Sequence, residues 1–327
     1  MFTRRLLLGI LAGAALAGPA FAQGAPEAAG KLPVVASFSI LGDFVKQVGG
    51  DRVSVATIVG PNGDAHVYQP TPADAKRVAA AKVVFVNGLG FEGWMDRLIK
   101  ASGTKATIVV ATKGVTPRTD ADDDDDKDHG KGAAKGADKH DHGKDKHGHD
   151  HGGIDPHAWQ SIANAKVYVA NIRDGLIAAD PDGRTTYDAN AAAYLARLDA
   201  LETQVKAAIA AIPEAQRRII TSHDAFGYFG EAYGLILISP EGVSTESEAS
   251  AKDVARIIRQ IKAQKIPAVF MENISDPRLM QRIAKETGAK IGGDLYSDAL
   301  SDDKGPASTY IDMMNSNVRA LSAALAS

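Results

Sequence analysis

Short β-branched runs alternate with amphipathic stretches in two separate parts of this chain, and that alternation leaves few folds open to it. In the first part, Val34-Val35-Ala36 reads as a buried strand and Leu41 to Val48 as the helix after it. Val53 to Val59 reads as a second strand, Lys82 to Val86 as a third and Thr107 to Val110 as a fourth, with Trp94 to Ile99 helical. Thr71-Pro72-Ala73-Asp74 has the spacing of a capping box with proline in the first turn, so a helix starts there. The rhythm returns after residue 215. Arg218 to Thr221, Leu235 to Ile238, Ala268 to Phe270 and Ala289 to Ile291 read as strands. A helix runs through Tyr228, a capped one begins at Ser250-Ala251-Lys252-Asp253, another at Asp276-Pro277, and a last one covers roughly Ala307 to Leu325. Strand and helix in turn predict parallel sheets with helices on both faces.

Between the two parts lies a long helical pattern from about Thr185 to Ile212. Leu195, Leu198, Leu201, Val205 and Ile209 recur at three- and four-residue intervals until Pro213 stops the run. The predicted fold is therefore α/β, with two lobes, each a parallel sheet flanked by helices, joined by one long rigid helix with a cleft between them. The expected boundaries are 1–22 for an export signal, 23–181 for the first lobe, 182–213 for the connecting helix and 214–327 for the second lobe.

The signal is read from Arg4 and Arg5, the apolar Leu6 to Ala17, and Ala20-Phe21-Ala22 as a cleavage site near Ala22. No later stretch is apolar enough to span a bilayer, so a soluble exported chain is expected. Removing the signal leaves 35 basic residues against 40 acidic ones, which gives no basic face for nucleic acid. There is no cysteine, so disulfides, thiolate ligands and a lipid anchor on cysteine are all excluded as expectations. Residues 118–152 collapse to Asp, Lys, Gly, Ala and His with almost no apolar side chain. That composition cannot offset its ordering entropy, and a mobile loop inserted in the first lobe is expected.

Nine histidines fall into two populations. His129, His140, His142, His147, His149 and His151 lie in the inserted segment, where loose, fast-exchanging metal binding is the accessory role expected of them. His66, His157 and His223 each sit where a strand gives way to a loop, the edge of an α/β sheet that faces its ligand crevice. Asp298 follows the last strand, with Asp294, Asp302 and Asp303 as near rivals. Three imidazoles and one carboxylate make a four-coordinate set of borderline softness that suits Zn²⁺ better than Mn²⁺. The set keeps a formal charge of +1, so Asp224 or Glu272 is expected to support it from behind.

These residues also carry a resemblance. Asp155-Pro156-His157-Ala158-Trp159, Asp64-Ala65-His66-Val67-Tyr68-Gln69-Pro70 and Ser222-His223-Asp224-Ala225-Phe226-Gly227-Tyr228 are similar to the three histidine motifs of the zinc- and manganese-specific substrate-binding proteins of ABC importers, the ZnuA-like group and its AztC branch. Ala65 stands where that family usually has proline. The resemblance covers essentially the whole chain after the signal. It implies a periplasmic protein that binds Zn²⁺ through His66, His157, His223 and Asp298 and delivers it to an inner-membrane ABC transporter permease; a monomer is expected, and the histidine-rich insertion suggests a periplasmic zinc metallochaperone as a further partner. A glutamate or water can replace the fourth ligand in that family.

Two rival readings remain. A manganese-binding member of the same family would use the same scaffold. A zinc hydrolase would keep three protein ligands and an open position, but no His-Glu-x-x-His helix or Gly-x-Ser-x-Gly elbow is present, so no enzyme is expected.

Overall fold

A computed structural model describes residues 30–119 and 153–326. The expected signal at 1–22, and residues 120–152 with their six histidines and the Asp122 to Asp126 run, lie outside the described residues.

The first sheet is made of β1 (Leu32–Phe38), β2 (Val53–Val59), β3 (Val83–Val86) and β4 (Thr107–Val110), all parallel, in the order β2-β1-β3-β4. Helices α1 (Ser39–Gly49), α2 (Pro72–Ala80) and α3 (Met95–Ser102) connect them. The capping box opening α2 is complete: the Thr71 side chain accepts the Asp74 N–H while Asp74 returns to the Thr71 backbone. Next comes a two-residue antiparallel ribbon of β5 (Arg118–Thr119) and β6 (Ile154–Asp155). Arg118 and Thr119, which composition had assigned to the mobile insertion, therefore belong to a strand. The reason is local: the Arg118 guanidinium is buried against Asp155 and Glu231, a pairing that composition cannot reveal.

Then follow α4 (Ile162–Ala179) and the 27-residue α5 (Arg184–Ala210). The second sheet holds β7 (Arg218–Ile220), β8 (Ile236–Ile238), β9 (Ala268–Glu272) and β10 (Lys290–Leu295) in the order β10-β9-β7-β8, again all parallel. Counted within its own half, each sheet has the order 2-1-3-4, so the same topology is used twice. Helices α6 (Gly227–Tyr233), α7 (Ala251–Gln264), α8 (Arg278–Thr287) and α9 (Tyr310–Leu325) complete the second half. At α7 the Ser250 side chain caps the Asp253 N–H, but Asp253 returns to the Ser250 hydroxyl and not to its backbone, so that box is half made.

Leu198, Leu201, Val205 and Ile209 of α5 are buried as their spacing predicts, whereas Leu195 is only partly covered. The helix packs on α1 and α4 of the first half and on α9 of the second. One continuous apolar core runs from Phe38, Phe44 and Phe85 through Leu198 to Phe229, Phe270 and Tyr310, so the two halves share a core. A smaller core under α7 and α8 closes the outer face of the second sheet. Among the described residues no helix is long and apolar enough to cross a membrane.

Candidate metal centre

Both halves direct the carboxyl ends of their strands toward the same crevice, and each donor stands on a loop or strand end there. His66 follows β2. Its backbone N–H donates to Asp64 Oδ1 at 2.8 Å, and the neighbouring Ala65 carbonyl accepts from Trp94 Nε1 at 2.7 Å. Phe91 packs edge-on to the His66 ring with centroids 4.8 Å apart. His157 follows β6, in a turn held by Asn87 Nδ2 donating to the Pro156 carbonyl at 2.9 Å. Tyr168 in turn donates to Asn87 Oδ1 at 2.5 Å. His223 follows β7, where Glu272 Oε1, at the end of β9, accepts the backbone N–H groups of Ser222 and His223 at 2.7 and 2.9 Å. Asp298 follows β10. Its neighbour Ser297 offers a carbonyl that accepts from both Trp159 Nε1 at 3.0 Å and Gln160 Nε2 at 2.8 Å, so first-half residues set the position of a second-half aspartate.

The result is a cluster. One donor atom from each of His66, His157, His223 and Asp298 lies within 4.8 Å of the others. His66 Nε2 is 3.2 Å from His157 Nε2 and 3.1 Å from Asp298 Oδ2. Asp298 Oδ2 is also 3.2 Å from His223 Nε2, and its Oδ1 is 3.5 Å from His157 Nε2. All four residues are buried. The rivals Asp294, Asp302 and Asp303 are exposed and take no part.

The outer nitrogens of two rings face carboxylates. His157 Nδ1 pairs with Asp155 Oδ1 at 2.8 Å, and His223 Nδ1 sits 2.6 Å from Glu272 Oε2 as an ion-pair contact, not a directed hydrogen bond. Each carboxylate draws the ring proton to Nδ1 and leaves Nε2 free for an electrophile. Of the two supporting acids expected behind the site, Glu272 touches a ring, while Asp224 contributes charge toward Arg118. Asp155 was missed as a support, although its Asp-x-His spacing to His157 was a usable signal. Arg118 was missed because it acts one layer further out. It contacts Asp155 Oδ2 at 3.2 Å and Glu231 at 2.7 Å, and Tyr228 Oη bridges its N–H to the Asp155 carbonyl.

Charge follows this geometry. Burial opposes ionisation of His157, but Asp298 and Asp155 together raise it to about 9. Burial is likewise overcome at His223 by Glu272 and Asp298, which hold it well above the imidazole range. Burial dominates at His66 and lowers it. Asp298, despite its own burial, is held well below the usual carboxylate range by His157 and His223. Both Asp298 oxygens and His223 Nε2 are buried without a directed hydrogen bond. Each such orphan costs about 1–3 kcal/mol unless something satisfies it. A cation at the centre of the cluster satisfies all of them.

Two parallel-sheet lobes with a buried cluster of nitrogen and oxygen donors between them define a metal-binding substrate-binding protein. The family model for the periplasmic zinc-uptake complex component A matches residues 34–324, and the chain belongs to that family of metal-binding proteins of ABC importers. It is 36% identical over 288 residues to the manganese-binding lipoprotein MntA of Halalkalibacterium halodurans, covering 88% of this chain and 86% of that one. It is 32% identical over 292 residues to the iron-binding protein YfeA of Yersinia pestis, covering 89% and 86%. The periplasmic zinc-binding protein TroA of Treponema pallidum has the same fold, with a TM-score of 0.78 at 26% identity over 91% of this chain and all of that one. These matches place the chain in a family of substrate-binding transport components.

Proposed function

We propose that this chain captures Zn²⁺ outside the cytoplasmic membrane through His66, His157, His223 and Asp298 and passes it to the permease of an ABC importer. The observation that carries this reading is the convergence of four buried donors from both halves on one point, with Asp298 left unsatisfied by hydrogen bonds. Three imidazoles with one carboxylate form a donor set of zinc type. Zn–N and Zn–O bonds of about 2.0–2.1 Å give a tetrahedron with edges of about 3.3 Å. Three separations are close to such an edge, His66 Nε2 to His157 Nε2 at 3.2 Å and Asp298 Oδ2 to His66 and His223 Nε2 at 3.1 and 3.2 Å, within a cluster whose donors span up to 4.8 Å.

A second reading is manganese, and one observation favours it. The two Asp298 oxygens face different rings, Oδ1 toward His157 and Oδ2 toward His66 and His223. Two-oxygen binding would raise the coordination number and suit a harder ion. The name of the 36% identical relative MntA points the same way.

In either case lobe motion stays small. The shared core and the long helix resist a wide hinge, so binding orders local loops instead. The test is competitive titration of Zn²⁺ and Mn²⁺ on the intact chain and on one lacking residues 120–152, a deletion that spares Arg118 and Thr119. One tight zinc-preferring site surviving the deletion upholds the reading and leaves the six loop histidines an accessory role. Loss of all tight binding moves the site into the loop, and tighter manganese than zinc binding selects the second reading.

A further inference from the structure

An ion must reach a centre whose members are enclosed, and they are not enclosed equally. His157, His223 and Asp298 are 0% exposed, whereas His66 retains 6%. His66 lines a space of about 760 Å³ whose wall includes Tyr68, Gln69, Glu92, Gly93, Asp96 and Glu246. A second cavity of about 480 Å³ is lined by none of the four donors; it reaches Ser222, the chain neighbour of His223, and Asp64, which holds the His66 backbone from behind.

The support behind the donors is equally uneven. His157 has Asp155 behind its Nδ1 and His223 has Glu272. No carboxylate pairs with the Nδ1 of His66 among the described residues; its ring rests edge-on against Phe91. Its loop between β2 and α2 carries no regular structure. Three donors thus form a braced cup, and the fourth stands at its rim.

The cavity also carries Asp96 and Glu246 against the single cation Arg97, with Glu92 buried in its wall and accepting from Ser37 and the Asn87 and Gly88 N–H groups. An acidic cleft with low-dielectric walls concentrates cations at its base. We propose that the ion enters and leaves through the cavity beside His66, and that His66 is the last ligand to close on it and the first to release it. This rests on the four-ligand reading above.

Gly93 permits a direct test. It sits on the cavity wall at ordinary backbone angles, and a Cβ added there meets nothing within 4 Å. Zinc association and dissociation are measured by stopped flow with a fluorescent chelator, on the full chain, for wild type, Gly93→Trp and, at the other cavity, Glu248→Trp. Gly93→Trp is expected to slow both rates by the same factor, about threefold or more, with affinity preserved, because it narrows the passage and leaves the donors alone. Glu248→Trp is expected to keep wild-type rates. Unchanged rates in Gly93→Trp, or slowing confined to Glu248→Trp, overturn the proposal. If Gly93→Trp fails to fold, the Asp96→Lys/Glu246→Lys pair serves instead. Its association rate is expected to fall about fivefold or more at low salt, with the difference shrinking as salt rises, and an unchanged rate overturns the route. His66→Ala separates the two readings. Undiminished affinity there removes His66 as a ligand, whereas lost affinity combined with wild-type rates in the cavity variants removes the route alone.

Discussion

Asp155 Oδ1 accepts two hydrogen bonds from one residue, His157: its ring Nδ1–H at 2.8 Å and its backbone N–H at 2.9 Å. One carboxylate oxygen thereby fixes both the turn that presents the ring and the tautomer that frees Nε2. Asp155→Asn should keep the fold but lose the preference for a proton on Nδ1. Loss of such support typically weakens a metal site by about 10- to 100-fold. Zinc affinity by chelator competition, with near-ultraviolet circular dichroism as the folding control, reads the effect; unchanged affinity would remove Asp155 from the site.

The raised imidazoles set an unusual pH dependence. An ordinary histidine is neutral by about pH 7, so a site of ordinary histidines gains little affinity above it. Here the metal-free His157 titrates at about 9 and His223 is also raised, so at neutral pH an incoming ion must expel their protons. Zinc affinity should therefore climb with pH through neutrality up to about pH 9. The stability of the metal-free fold runs the opposite way. A folded-state value above the unfolded one of about 6.5 contributes stability that is complete below 6.5 and lost as pH rises through about 9. Calorimetry in buffers of different ionisation enthalpy, together with melting curves of metal-free protein, checks both trends. Affinity that is flat from about pH 7 to 9 contradicts the raised values.

Much of this was legible in the residues, and the exceptions share a cause. Val53 to Val59 and the Thr71 cap can be read from neighbours in sequence, and they fall where their pattern puts them. His66 and His223 stood out because each follows an apolar run, His157 because it stands where the pattern resumes after the insertion, and Asp298 because it follows the last strand. Helix α4 was left unassigned between Trp159 and Thr185: its β-branched and asparagine residues are poor helix formers, and its stability comes from packing on α1 and α5. The choice of Glu272 over Asp224, and the parts played by Arg118 and the carbonyl of Ser297, become legible only when segments 50 or more residues apart come together. Sequence spacing points to the candidate donors because they sit at strand ends, and it misses most of their supports because those arrive from distant segments.

Gly227 illustrates such a hidden constraint. A Cβ there would lie 1.9 Å from Arg118 Nη1 and 2.7 Å from Asp155 Oδ2. Gly227→Ala must push the guanidinium off Asp155, an overpacking that typically costs about 1–3 kcal/mol. The melting temperature should fall and zinc affinity with it, because the same contact braces the His157 turn. If stability drops while affinity holds, Arg118 contributes to the fold only.

Leu198 separates the scaffold from the site. It is fully buried on α5, within the core that joins both halves, and it is not one of the four donors. Leu198→Ala removes buried methyl groups and leaves a cavity, at a typical cost of about 2–5 kcal/mol. Because the donors are fixed by local contacts such as Asp155 to His157 and Glu272 to His223, the variant should bind zinc with nearly wild-type affinity at temperatures where it remains folded. Chemical denaturation with and without zinc measures both quantities. A large loss of affinity in folded Leu198→Ala would mean that the long helix itself tunes the distance between the halves, and the picture of a rigid frame carrying locally braced ligands would have to give way.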